Sequence, residues 1–133
     1  GPCVLWGAAG GVGTAAGWRC ARCGWSVGDA PDPALPMPVV EVVYYLRFAD
    51  RIKIGTSRQP RRRLSAIRHE ELLAFERGGR LLEHGRHAEF AALREGGEGF
   101  PPDPVLRTHI RGVSRGIPPW DSYARWVAES LGA

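Results

Sequence analysis

Tyr44, Lys53, Arg63 and Glu83 follow one another along a single stretch of the chain, with His87 four residues beyond the last of them. Together they carry the groups that hydrolysis of a phosphodiester requires. Such a reaction needs an activated water, neutralisation of the charge that builds on the phosphoryl oxygens, and help for the leaving oxygen. Tyr44 can take a proton from water when a cation stands close by. Lys53 can stabilise the phosphate or assist Tyr44. Arg63 offers a planar fork that grips two phosphate oxygens and stays charged throughout. Glu83 supplies one carboxylate, which suits a single Mg²⁺ or Mn²⁺ that keeps most of its water. His87 lies at i+4 from Glu83 on the same helix face, where it can orient the leaving group or a water. Each residue also has a plainer reading. Adjacent strand residues face opposite sides, so one of Tyr44 and Tyr45 belongs to a core. Arg63 and Glu83 can be solvated helix charges, and a lone helix histidine is often structural.

The charge around these residues is uneven. Between Arg47 and Arg68 there are eight basic side chains and one acid, Asp50, in a chain whose formal net charge is +4. One strongly positive face favours an anionic partner, with nucleic acid the default. Arg58, Arg61, Arg62 and Arg68 are the candidate contacts to its backbone. Lys53 is the sole lysine among 18 basic residues. A compositional bias toward arginine therefore did not take that position.

The elements that must position these groups can be read from pattern. Val39 to Phe48 is β-branched and aromatic, a strand. Ala49-Asp50 reads as a turn, and Arg51 to Ile54 as the antiparallel partner that Gly55 ends. Thr56 and Ser57 offer hydroxyls for a helix cap, and Pro60 suits a first helical turn. A helix is expected from Pro60 to Glu70, a strand from Leu72 to Arg77 and a helix from Arg80 to Arg94. Further helices are expected at Pro104–Arg111 and Trp120–Leu131, with Asp103 and Asp121 at their starts. The order predicts an α+β fold, a small three-stranded antiparallel sheet flanked by helices.

Upstream, residues 3–29 hold all three cysteines, and residues 30–38 carry four prolines in nine positions, an extended linker. The sheet domain with its terminal helix is then 39–133. Cys3-Val4-Leu5-Trp6-Gly7 and Cys20-Ala21-Arg22-Cys23-Gly24 both resemble zinc-ribbon knuckles. Trp6 stands where the first knuckle would place its second ligand, so Cys3, Cys20 and Cys23 remain as Zn²⁺ ligands. A histidine, Asp29, water or a second chain would be the fourth. The alternative is a metal-free knuckle packed around Trp6, Trp18 and Trp25. Gly10-Gly11-Val12-Gly13 reads as the loop between the knuckles.

Residues 42–112 resemble the GIY-YIG nuclease superfamily, in particular its bacterial and phage branch whose second motif reads Lys-Ile-Gly. Val42-Val43-Tyr44 matches the first motif and Lys53-Ile54-Gly55 the second. The family's arginine falls nine residues after the motif isoleucine, at Arg63, before apolar Leu64. Leu82-Glu83 with His87 matches the helix that bears the metal-binding glutamate. Glu98-Gly99-Phe100 resembles the closing segment. The chain departs from the pattern at Val42, at Lys53 and at Ile67, which stands in place of a histidine.

The resemblance implies a Mg²⁺- or Mn²⁺-dependent DNA endonuclease acting in restriction, repair or mobile-element processing, with a zinc-ribbon-like appendage. A nucleic-acid-binding module that keeps the fold without hydrolysis is the second expectation. A third is an interaction domain whose terminal helix, with Trp120 and Trp126, meets a second copy or another protein. No apolar run reaches the roughly 20 residues of a membrane span and no secretory pattern is present, so a cytoplasmic protein is expected.

Overall fold

A computed structural model of the chain describes residues 11–14, 17–20, 23, 38–94 and 99–131. The chain divides into two compact units, Gly1–Val40 with Trp120–Ala133, and Glu41–Pro119. In the first, β1 (Gly11–Thr14) and β2 (Gly17–Cys20) form an antiparallel hairpin in which Gly11 faces Cys20. Gly11 to Gly13, expected as a loop, are thus part of a strand. Cys23 is buried. Cys3 and the side chain of Cys20 lie outside the described residues, and the zinc reading lies there with them.

The second unit is built on a three-stranded antiparallel sheet. Its strands are β3 (Val42–Phe48), β4 (Arg51–Ser57) and, after helix α1 (Pro60–Ala66), β5 (Glu71–Arg77). The order is β4-β3-β5, so β3 is central. All five residues from Val42 to Leu46 are buried, which requires cover on both faces of the strand. On one face Val43, Tyr45, Ile52, Ile54 and Ala74 form the main core with Phe90, Phe100, Leu106 and Ile110. Those last four come from the helical layer: α2 (Arg80–Glu89), a 3₁₀ turn (Ala91–Leu93) and α3 (Pro104–Ser114), with the segment around Phe100 between them. Asp103 caps α3 as expected, its carboxylate accepting from the Val105 amide at 2.8 Å. The terminal helix α4 (Pro119–Ser130) belongs mainly to the first unit.

The structure departs from four local expectations, two of them through longer-range contacts. β4 runs on through Thr56 and Ser57 instead of ending at Gly55, and the Thr56 hydroxyl donates to the Val42 carbonyl. Gln59 is the cap residue of helix α1 and gives it no side-chain cap. The helix also ends early, at Ala66, because Ile67 turns extended and the Glu70 amide donates to the Arg47 carbonyl. Glu70 then braces the β3–β4 turn: its carboxylate accepts from the Ala49 amide and from Arg47. Ala49 holds the left-handed conformation there, at φ 53°. Between α2 and Arg94 the expected single helix breaks at Phe90.

The opposite face of the sheet carries Tyr44, Leu46 and Phe48, alternating with the core residues. Tyr44 pairs with Gly55, and Leu46 with Lys53. Tyr44 is 1% exposed, and its ring lies directly over Gly55. A Cβ at Gly55 would overlap Cζ and Oη of Tyr44 and stand 2.8 Å from Cε1. Since the ring is enclosed, it cannot swing aside. Gly55→Ala is therefore expected to destabilise the fold by about 1–3 kcal/mol, the usual range for overpacking. Urea unfolding checks this, and Tyr44→Leu in the same chain should recover part of the loss. An unchanged midpoint would mean that Tyr44 does not rest on Gly55.

A cationic cleft at the edge of the sheet

β4 is an edge strand, and three of its outward-facing backbone groups are occupied. Ile52 exchanges both hydrogen bonds with Phe100 at 2.8 Å. Gly99, at φ 87°, is what lets the chain come so close, since a Cβ there would stand 3.1 Å from the Ile52 carbonyl. One residue pair further along, the Ile54 carbonyl accepts from His87 Nε2 at 2.8 Å. A covered edge of this kind resists pairing with another chain. Here it also fixes helix α2 against the strand that bears Lys53.

These bonds define the state of His87. A carbonyl only accepts, so Nε2 carries the hydrogen. Arg94 Nη2 lies 3.2 Å from Nδ1, and a guanidinium only donates, so Nδ1 is bare. His87 is thus the neutral Nε2–H tautomer. Glu83 lies one helical turn away, its Oε1 3.8 Å from His87 Nε2. A short chain of contacts therefore runs from Glu83 through His87 to Ile54, the neighbour of Lys53. The Glu83 side chain is 21% exposed, so its carboxylate is reachable from solvent.

Beside this clamp is a cleft of about 500 Å³. Leu46, Phe48 and Ile67 give it an apolar floor, and Arg51, Lys53, Arg68, His87 and Arg94 surround them. The segment after α1 reaches over the sheet here, for the Arg68 guanidinium stands 5.1 Å from the Phe48 ring centroid. Arg94 is likewise 4.9 Å from the Phe100 ring. Four permanent cations, with no carboxylate among the described lining residues, make a local field that favours an anion.

The structure distributes the candidate residues as follows. Lys53 and His87 line the cleft and Glu83 adjoins His87. Tyr44 shares the sheet face with Lys53 but is enclosed. Arg61, Arg62 and Arg63 are exposed along α1. Arg58 lies 4.0 Å from Glu41, a solvated pair that contributes little. Arg68 is brought into the cleft through Phe48. Arg51 and Arg94 were not expected there. Arg94 had a signal, since it falls seven residues after His87 and so near the same helical face.

A second cluster, also unforeseen, lies in the core-side layer. The Tyr45 hydroxyl donates to Glu76 Oε1 at 2.8 Å. Arg86 donates twice to the same carboxylate, from Nε at 3.0 Å and Nη2 at 2.6 Å, and once to Glu89. With the tyrosine proton committed, His109 Nε2, 2.9 Å away, must be the donor to Tyr45 Oη. One network thus ties β3, β5, α2 and α3 together. Burial, and then the adjacent Glu76, push the Tyr45 phenol well above its ordinary range. Burial, reinforced by the charge of Arg86, holds His109 below 6.5. Burial alone would raise Glu76, but the hydrogen bonds from Arg86 and Tyr45 outweigh it and leave the carboxyl lowered.

These directions fix how stability changes with pH. Below about 6.5 the unfolded chain binds a proton at His109 that the fold resists, so stability falls on acidification. Below about 4.5 the same holds for Glu76. Above about 10 the unfolded tyrosine ionises while the folded one does not, so stability falls again. Thermal midpoints should therefore be highest between about pH 6.5 and 10. His109→Gln, which retains a donor, should flatten the upper part of the acid limb. An acid limb identical in that variant would count against His109 as its source.

Among the described residues no three His, Cys, Asp or Glu side chains group as a metal cluster. No helix among them is long and apolar enough to cross a membrane. No family model, curated protein or solved structure matches the chain.

Proposed function

We propose that the chain is a metal-dependent endonuclease that hydrolyses phosphodiester bonds in DNA. The observation that carries this reading is the His87 clamp. It joins the helix bearing Glu83 to the strand bearing Lys53, beside a cleft in which Arg51, Lys53, Arg68 and Arg94 stand around an apolar floor. An accessible carboxylate next to a positively charged cleft is the combination that phosphodiester hydrolysis uses.

Glu83 is the residue that would hold a Mg²⁺ or Mn²⁺ ion, and a single carboxylate with water suits such an ion. Bound there, the ion would neutralise charge on the phosphoryl group and ease ionisation of a water. Lys53, exposed at the cleft, places its ammonium against the phosphate. Arg63, exposed on α1, would grip two non-bridging oxygens with its fork. His87, with both nitrogens engaged, holds the carboxylate-bearing helix and Arg94 in place; its neutral tautomer leaves no second proton to donate. Tyr44 rests on Gly55 and fixes the strand from which Lys53 projects. Arg58, Arg61, Arg62 and Arg68 extend the positive face for neighbouring phosphates.

A DNA-binding module without hydrolysis is the second reading, favoured by the enclosure of the Tyr44 hydroxyl. One experiment separates them. Lys53→Met and Arg63→Met are compared with the unaltered chain for nicking of supercoiled DNA in Mg²⁺, and for binding at several salt concentrations. The nuclease reading expects each variant to nick at least about tenfold more slowly. Salt-sensitive binding with no nicking by any of the three would move the assignment to the second reading.

A further inference from the structure

The cleft is shaped for more than a phosphate. Its floor is apolar: Leu46 is buried, Ile67 half-buried, and Phe48 remains 41% exposed at the end of β3. A site for phosphate alone has no use for an open phenyl ring. At about 500 Å³ the cleft lies within the roughly 300–1,000 Å³ of sites that enclose small organic ligands. Lys53 stands across the ladder from Leu46, so an anion at its ammonium would sit at the rim of that floor. The Arg68 guanidinium already lies over the Phe48 ring, 5.1 Å from its centroid. Arg68 is exposed and long, so its plane can lift to admit a second planar group.

We infer that the cleft takes one unpaired nucleotide of a DNA strand, its base stacked on Phe48 beneath Arg68 and its phosphate at Lys53. This rests on the nucleic-acid reading above and narrows it to a substrate class: single strands, frayed ends or flaps. The chemistry points that way because a base within a duplex is stacked on both sides. Its face cannot meet an aromatic ring unless the base leaves the stack, whereas a single strand offers that face freely. Any base will serve, since all have a π-face, so the site selects strand state and not sequence. The rim of Lys53, Arg68 and Arg94 supplies the backbone attraction, and Phe48 supplies the discrimination.

Fluorescence anisotropy in EDTA tests this with a labelled single-stranded oligonucleotide and the duplex of the same sequence. The unaltered chain should bind the single strand more tightly. Phe48→Ala should weaken single-strand binding about tenfold, within the range measured for loss of one stacked base. Phe48→Leu keeps apolar bulk without a π-face and should lose as much, whereas Phe48→Trp should retain the preference. Circular dichroism confirms that each variant is folded. Equal affinity for both forms, or a preference that survives Phe48→Leu, overturns the inference. Tight duplex binding with Mg²⁺-dependent nicking would overturn it and leave the nuclease reading standing. Binding to neither form would remove both.

Discussion

Glu83→Gln is expected to lower Mg²⁺-dependent nicking by about 10²–10³-fold while leaving the protein folded. The size follows from what such a group does: removing one preorganised electrostatic partner of a transition state costs roughly 2.7–4 kcal/mol. Glutamine keeps the shape of glutamate and one oxygen but loses the charge, and neutral oxygens hold Mg²⁺ weakly. Little stability should be lost. Glu83 is one turn inside α2, and its contact with neutral His87, at 3.8 Å, is too long for a hydrogen bond. Binding of DNA in EDTA should if anything tighten, because a negative charge beside the cationic cleft is gone. Rate and affinity therefore move in opposite directions. A purely structural glutamate would change neither in this pattern. Retention of more than about a third of the wild-type rate would remove Glu83 from the reaction.

Arg86→Met should destabilise the sheet domain by about 2–3 kcal/mol. A fully buried ion pair broken on one side costs roughly 3–5 kcal/mol, and here the side chains of Arg86 and Glu76 are 25% and 19% exposed, so water recovers part of it. Methionine replaces the stem of arginine but none of its donors. Glu76 is then left with Tyr45 as its side-chain donor. For a domain of this size the thermal midpoint should drop by about 10–20 °C. Two controls isolate the stranded charge. Arg86→Met with Glu76→Gln should recover part of the loss, and the gap from wild type should narrow on acidification. Burial without Arg86 raises the Glu76 carboxyl, so protonation relieves the penalty at milder pH. A loss below about 0.5 kcal/mol, with no recovery in the double variant, would mean the network is a surface feature.

The sheet was legible because β3 is a run of β-branched and aromatic residues with a turn after it. Its three-stranded antiparallel form followed from the order of the elements. Pro60 and Asp103 marked helix starts for reasons local to the chain. What could not be read depends on distant partners. Both tyrosines are buried, one against a glycine on the neighbouring strand and one in a polar network drawn from four elements. The early end of α1 depends on Glu70 bonding back to the β3–β4 turn. Thr56 and Ser57 carry the types of a helix cap, yet the β3 ladder claims them. His87 could be singled out by its spacing from Glu83. Its partner, the Ile54 carbonyl, could not, because no side-chain pattern records which edge-strand backbone groups need cover. Glu76 did leave a trace: it alternates with Ala74 toward the core, and a charge at such a position calls for a partner.

In the proposed nuclease, groups from β4, α1 and α2 work jointly on one phosphate. The most direct measure of this is single-turnover nicking of supercoiled DNA by the unaltered chain, Glu83→Gln, Arg63→Met and the double variant, in Mg²⁺ and in EDTA. Nicking by the unaltered chain is expected in Mg²⁺ and none in EDTA. The double variant should be scarcely slower than the slower single one, since groups that serve one transition state are not additive. No nicking by the unaltered chain, or Mg²⁺-dependent nicking that both single variants retain in full, would rule out a shared site on one phosphate.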